Sequence, residues 1–462
     1  MRNFSKTNNP NSLFAGAAKA DITPPLGTFI NGDFVSHYAV YIHDNLYAKA
    51  LVLENGKMTI AMVVVDICVM PKEFIDEVKS AITEQTGILF QHILISSTHT
   101  HAAGSVASVY LASADLLYMK KLPGLIVQAV KQAKQNLRPA RIGFGNVDAP
   151  EHVRCRRYLM KEGYKPINPV SGEIDKVKTN PFGISDQIIR SIATPDPQVS
   201  FLAIQGIDGH WISLLANYSL HYVGDWANGT ISADYFGEFS RQIQKKLSAG
   251  EDFVGMMSNG TSGDVNIWDF QNTGNYPSAN FKKSWFIGND IAEKVFQSLY
   301  AIEWEDDSLI TVKYEELSLN VRKPDSDVLE KAKAIIAETE FENLKVNEEG
   351  LRRIYAREQV LLNELPDQLL FPVQAIKIGN VIIGGLGAEI FSETGLWLKE
   401  NSPVKKYFTI GLANANLGYL PPADEIEKGG YETWRSRTSK LNERAEEEVK
   451  NKMLQVIKDF DR

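Results

Sequence analysis

Cysteine is nearly missing from this chain. Among 462 residues only Cys68 and Cys155 occur, the first inside an apolar run and the second among arginines. Such a pair builds no disulfide framework, and a reducing compartment suits it. Long apolar runs are lacking too. The longest, such as Ile60 to Val65, suit buried strands and fall far short of the roughly 18 to 20 consecutive apolar residues of a membrane span, so integral membrane association is not expected. Positive charge is in deficit, with 49 Lys and Arg against 57 Asp and Glu and a net charge of -8. That balance argues against nucleic acid, whose phosphates require a basic footprint, and leaves a lipid or sugar substrate open. The start of the chain, rich in Asn and Ser, lacks the apolar stretch of a signal peptide. It reads as a flexible tail over residues 1–13, and the sequence as written implies a cytoplasmic location; a periplasmic or secreted one requires a trimmed leader.

What is present is the composition of a globular protein, with 44% hydrophobic and 23% charged residues. Three stretches repeat one order of elements: two adjacent strands, an amphipathic helix, and a further strand ending in a polar motif. The first has strands near Tyr47 to Leu53 and Thr59 to Asp66, a helix from Pro71 to Thr86, and a strand ending at His99. Pro71 opens that helix, Gly87 closes it, and Phe74, Ile75, Val78, Ala81 and Ile82 form its apolar stripe. The second has strands near Val199 to Gln205 and Trp211 to His221, a helix from Tyr235 to Leu247, and a strand ending at Asn259. The third runs from Val373 to Ile378 and Val381 to Leu386, through a helix near Phe391 to Glu400, to Asn414. Hairpins mixed with helical crossovers predict an α/β fold of mixed β-sheets packed between outer helices, a multi-layer sandwich forming one domain over 14–462. The spacer from Glu151 to Pro197 has no period and reads as a long loop, whereas the insertion from Asp325 to Pro366 is helical in pattern. Lys440 to Phe460 reads as a terminal helix with Val449, Met453, Val456 and Phe460 inward.

The repeated units place polar residues at matching strand ends: Asp66 and His99, His221 and Asn259, Glu389 and Asn414. Convergence on one cleft is the expectation, since open α/β folds gather ligands beyond the carboxyl ends of their strands. In Thr98-His99-Thr100-His101 the two imidazoles lie two residues apart, which in β geometry sets both on one face. Two neutral imidazoles and a carboxylate, here His99, His221 and Glu389, form the donor set of a hydrolytic zinc centre and equally that of the facial triad of non-haem iron oxygenases. Both metals fit the spacing.

The segments Gly16-Ala17-Ala18-Lys19-Ala20-Asp21-Ile22-Thr23-Pro24-Pro25, Ser96-Ser97-Thr98-His99-Thr100-His101, Gly263-Asp264-Val265-Asn266 and Gly418-Tyr419-Leu420 resemble the amino-terminal catalytic domain of the neutral ceramidase family, in the family's order. The resemblance implies one Zn2+ per chain held by His99, His221, Glu389 and Tyr419, with His101 facing the scissile amide. It also implies that Arg156 and Tyr431 stabilise the oxyanion or hold a polar head group. The activity implied is zinc-dependent hydrolysis of an amide bond in a ceramide-like or other amphiphilic N-acyl substrate. Two departures qualify it. Where ceramidases read Gly-Asp-Val-Ser-Pro-Asn, this chain has Asn266, which offers hydrogen bonds to substrate but no alkoxide, so the chemistry rests on metal-activated water. Ceramidases also continue into an immunoglobulin-like domain, whereas this sequence ends after one helix. Asp66 and Asp264 are candidates to orient the histidines. The rival readings are an iron oxygenase on the same donors and a non-catalytic ceramidase-like binding protein.

Overall fold

Each repeated stretch folds as an antiparallel hairpin, a helix, and a strand that returns parallel to the hairpin's second strand. In the first, Tyr47–Glu54 pairs with Thr59–Val65, and Ile93–Ser97 lies parallel to Thr59–Val65 after the helix Lys72–Thr86. In the second, Gln198–Gly206 and Trp211–Tyr218 are followed by the helix Asp234–Lys246 and the parallel strand Val254–Asn259. The third consists of Gln368–Ile378, Val381–Leu386, the helix Ser392–Asn401 and Tyr407–Ile410. A parallel return needs a crossover of a dozen or more residues, which the helix provides. Gly87 ends the first of these helices in the left-handed region at φ 73, its N–H bonding back to the Thr83 carbonyl.

This computed structural model describes residues 12–461 except 31, 57, 273, 275, 307 and 308. The expected tail over 1–13 thus lies outside the described residues apart from Ser12 and Leu13. The first two units join through Phe14–Asp21 and Arg138–Asp148 into one mixed sheet, and the third joins Ile310–Asn320 in a four-stranded second sheet. The sheets pack face to face, Met62, Val64, Leu94, Leu215 and Met256 meeting Ile376, Ile383, Phe408 and Ile410. Each fully buried side chain of this kind contributes about 1.5 to 3 kcal/mol. Helices cover the outer faces. Lys72–Thr86 and Leu116–Gln135 pack on one half of the first sheet, Asp234–Lys246 and Lys282–Ser298 on the other, and Ser392–Asn401 and Ala445–Lys458 on the second sheet. The layers run helix, sheet, sheet, helix, as the pattern of mixed sheets between outer helices predicts. Among the described residues no helix is long and apolar enough to cross a membrane.

The three strand exits are bonded to one another. Asn259 Nδ2 donates to the Thr98 carbonyl at 3.2 Å. Gly411 N–H donates to the Asn259 carbonyl at 3.0 Å, and Asn414 N–H to that of Ile95 at 2.7 Å. Elsewhere the structure departs from the sequence pattern. The spacer contains the short strands Arg157–Met160, Val177–Thr179 and Ile188–Ser191, paired in a sheet of their own. The terminal helix begins at Ala445, because Leu441 and Asn442 still bond to Val321 and Asn320.

Candidate active site

The strand Ile93–Ser97 stops before His99, whose φ of 74 lies in the left-handed region. A non-glycine residue there costs of order 1 kcal/mol or more and persists only where its surroundings hold it. The His99 N–H donates to the Ile67 carbonyl at 3.0 Å and fixes the turn. The two rings of the histidine pair therefore meet through this turn and not through strand alternation, edge to face with centroids 4.8 Å apart and Nε2 atoms 3.2 Å apart. From the second unit, His221 brings its Nε2 to 3.1 Å from that of His99. In the third, Glu389–Ile390 pairs parallel with Tyr419–Leu420, setting Glu389 directly opposite Tyr419. Glu389 Oε2 lies 3.5 Å from His99 Nε2 and is buried with no hydrogen-bond partner among the described residues.

Hydrogen bonds define which imidazole nitrogen faces this cluster. His99 Nδ1 donates to the Cys68 carbonyl at 2.9 Å and His221 Nδ1 to the Ser262 carbonyl at 3.2 Å. Each Nε2 then turns its lone pair toward the cluster, that of His221 lying 3.4 Å from Arg156 Nη1. Two lone pairs and an orphaned carboxylate oxygen, all within 4.8 Å of one another, repel unless a cation lies among them. The donor set thus fits a metal ion. Burial, reinforced by Arg156, pushes the His221 imidazole well below its ordinary range, and burial with His99 does the same to His101. Neutral imidazoles are what a metal requires. Cys68 Sγ stands 3.8 Å from His99 Nδ1, but burial pushes its thiol well above its usual range, so it stays protonated.

Of the three neighbouring arginines only Arg156 reaches the histidines. Its Nη1 lies 3.4 Å from His221 Nε2, its Nη2 donates to the Tyr419 hydroxyl at 3.0 Å and the Gly263 carbonyl at 2.8 Å, and its Nε pairs with Glu432 at 2.7 Å. The backbone of the Gly263-Asp264 motif positions it, Arg156 N–H donating to the Asp264 carbonyl at 2.9 Å. Arg157 instead forms buried pairs with Glu425 and Glu432, and Arg154 turns to Asp269. Glu432 also accepts from Thr179 at 2.7 Å, so one buried carboxylate balances two buried guanidinium groups. Glu432→Ala leaves both short of a partner, and a loss of about 3 to 5 kcal/mol is expected; a denaturant midpoint that does not move would refute this account.

These groups open on a cavity of about 790 Å³, within the range of small-molecule sites. His99, His101, Arg156, His221, Glu389, Tyr419 and Tyr431 line it together with apolar residues such as Phe34, Val109, Leu369 and Trp434. Asn266 does not line the cavity. Its Nδ2 donates to Asn180 Oδ1 and its Oδ1 accepts the Trp268 N–H at 3.0 Å, so it is Asn180 that reaches the wall. Asp66 and Asp264 do not orient the histidines: Asp66 binds Lys49 and the Tyr47 N–H, Asp264 binds Ser392, and backbone carbonyls do the orienting instead. Sequence reasoning missed Tyr222, whose ring stacks on His101 with centroids 3.6 Å apart and a 14° interplanar angle. Its place beside His221 was the available signal.

The fold and the cluster define an α/β protein with a buried two-histidine, one-glutamate centre at the exits of mixed strands. It superposes on the crystal structure of neutral ceramidase from Pseudomonas aeruginosa with a TM-score of 0.70 at 16% identity, covering 96% of this chain and 74% of that one. A ceramidase complexed with C2 gives 0.68 at 15% identity, covering 97% and 75%. Likeness at such identity shows the fold. The family described as neutral/alkaline non-lysosomal ceramidase, N-terminal, matches residues 14–275, and this chain belongs to it.

Proposed function

We propose that this protein is a zinc-dependent hydrolase cleaving the amide bond of an N-acyl substrate, ceramide-like or otherwise amphiphilic. The observation that carries the reading is the convergence of His99 Nε2, His221 Nε2 and the orphaned Glu389 Oε2 on the wall of the large cavity. Zn2+ bound by these three and Tyr419 supplies Lewis acidity and water of lowered pKa. Tyr419, set beside Glu389 by their strand pairing, fills a position that iron oxygenases leave open, which favours zinc. His101, neutral and 3.2 Å from His99, takes a proton at Nε2 and delivers it to the leaving amine. Arg156 keeps the Tyr419 hydroxyl in place through Nη2 and offers Nη1 to a developing oxyanion. Tyr431, its ring centroid 5.7 Å from that of Tyr419, borders the substrate. Asn266 acts on substrate through Asn180.

The test is a panel of N-acyl amides, long-chain ceramide included, incubated with zinc-loaded protein and with chelator-treated protein. Zinc-dependent release of fatty acid from at least one member is expected, with ceramide slower than the best substrate because Asn266, in place of the family's serine, holds the Asn180 amide on the cavity wall. A poorly matched head group leaves buried polar atoms unpaired at about 1 to 3 kcal/mol each. Inactivity across the panel with zinc bound would favour the non-catalytic reading.

A further inference from the structure

The charged groups of the cavity wall are paired unevenly. Among its lining residues Asp76 is paired with Lys72 at 2.6 Å and Asp33 with His37 at 2.8 Å. Arg156 is paired with Glu432 and Arg437 with Glu358, each at 2.7 Å. Glu389 belongs to the metal donors. Two ammonium groups are left over, those of Lys178 and Lys440. Both are partly buried in the cavity wall, and neither has a hydrogen-bond or ion-pair partner among the described residues. The remaining lining carboxylate, Glu73, is exposed and makes no ion pair with either lysine.

A cation drawn out of water without a counter-ion is costly, and burial accordingly pushes the Lys440 amine down to about 8 and lowers that of Lys178. In a concave, apolar-walled site an ammonium without a direct partner draws in a ligand of opposite sign. A neutral head group would leave both lysines as they are; an anionic one supplies the missing counter-ion.

We infer that the substrate is an anionic N-acyl amide, of the N-acyl amino acid type, whose carboxylate or similar oxyanion is received by Lys178 or Lys440. This rests on the amide-hydrolase reading of the site. In the reaction the C–N bond breaks, the oxygen of water joins the acyl carbon and a proton passes to nitrogen, releasing a fatty acid and an amino acid.

The experiment compares kcat/KM of the zinc-loaded full chain on N-dodecanoylglycine, N-dodecanoyltaurine and N-dodecanoylethanolamine, which share an acyl chain and differ in head-group charge. The glycine conjugate is expected to exceed the ethanolamide by about tenfold or more, the lower end of what one charge-assisted contact supplies. The taurine arm shows whether the site takes any small oxyanion or a carboxylate alone. Lys178→Met or Lys440→Met should lower the glycine-to-ethanolamide ratio about tenfold, chiefly through KM, and the corresponding arginine variant should restore it. Equal or faster turnover of the ethanolamide by the unmodified protein overturns the inference. So does an unchanged ratio in both methionine variants, with folding verified by circular dichroism. Hydrolysis of neutral amides alone sinks this inference and leaves the hydrolase reading standing, whereas inactivity on all three and on the wider panel, with zinc bound, sinks both.

Discussion

Metal-replete protein is expected to carry about one zinc per chain, and His99→Ala, His221→Ala or Glu389→Ala is expected to lose it. Changing a partner outside the coordination sphere typically costs about 10- to 100-fold in affinity, so removal of a donor should cost at least the upper end of that range. The two imidazoles face each other at 3.1 Å with both Nδ1 atoms committed to backbone carbonyls, so neither ring can turn its other nitrogen inward without abandoning a buried hydrogen bond. Elemental analysis after dialysis against trace zinc reads the result directly. Full occupancy in both histidine variants would place the metal elsewhere.

His101 is expected to separate activity from metal content. His101→Ala should keep zinc and lower kcat by roughly 100-fold or more, the span usual for a general acid or base. Its ring is clamped between the stacked Tyr222 and the backbone of Gly32, where an added Cβ would lie 2.5 Å from the imidazole. That clamp aims Nε2 at the centre while leaving the residue exposed to the cavity. Loss of zinc in this variant would make His101 a ligand, and unchanged turnover would remove it from the reaction altogether.

The three hairpin-helix-strand units were legible because their strands are continuous apolar runs and their helices carry clear punctuation, as at Pro71 and Gly87. The helix Leu116–Gln135 has no such clear signal, since Pro123 and Gly124 at its centre look like a break that tertiary packing of Leu122, Ile126 and Val130 overrides. The spacer reads as a loop for a different reason: its strands are only two to four residues long, three pairing among themselves and Arg154–Cys155 with the distant Val265–Asn266. His99, His221 and Glu389 stand out as polar residues at strand exits. Tyr419 has no such signature; only its register opposite Glu389, a long-range fact, brings it to the centre. The carbonyls of Cys68 and Ser262 that fix the imidazoles are invisible in any sequence, because every residue has one.

The proposed donors come from both sheets: His99 and His221 follow strands of the first, Glu389 and Tyr419 follow strands of the second. A metal ion bound among them would therefore be a rivet through the sandwich as well as a reagent. Its binding energy adds to the docking of the two sheets only when they are in register, so metal affinity and the cohesion of the layers become one measurable quantity. The stretch 14–275 that matches the family holds only the two histidines, one plate of that joint, and closes no centre without the second sheet laid against it.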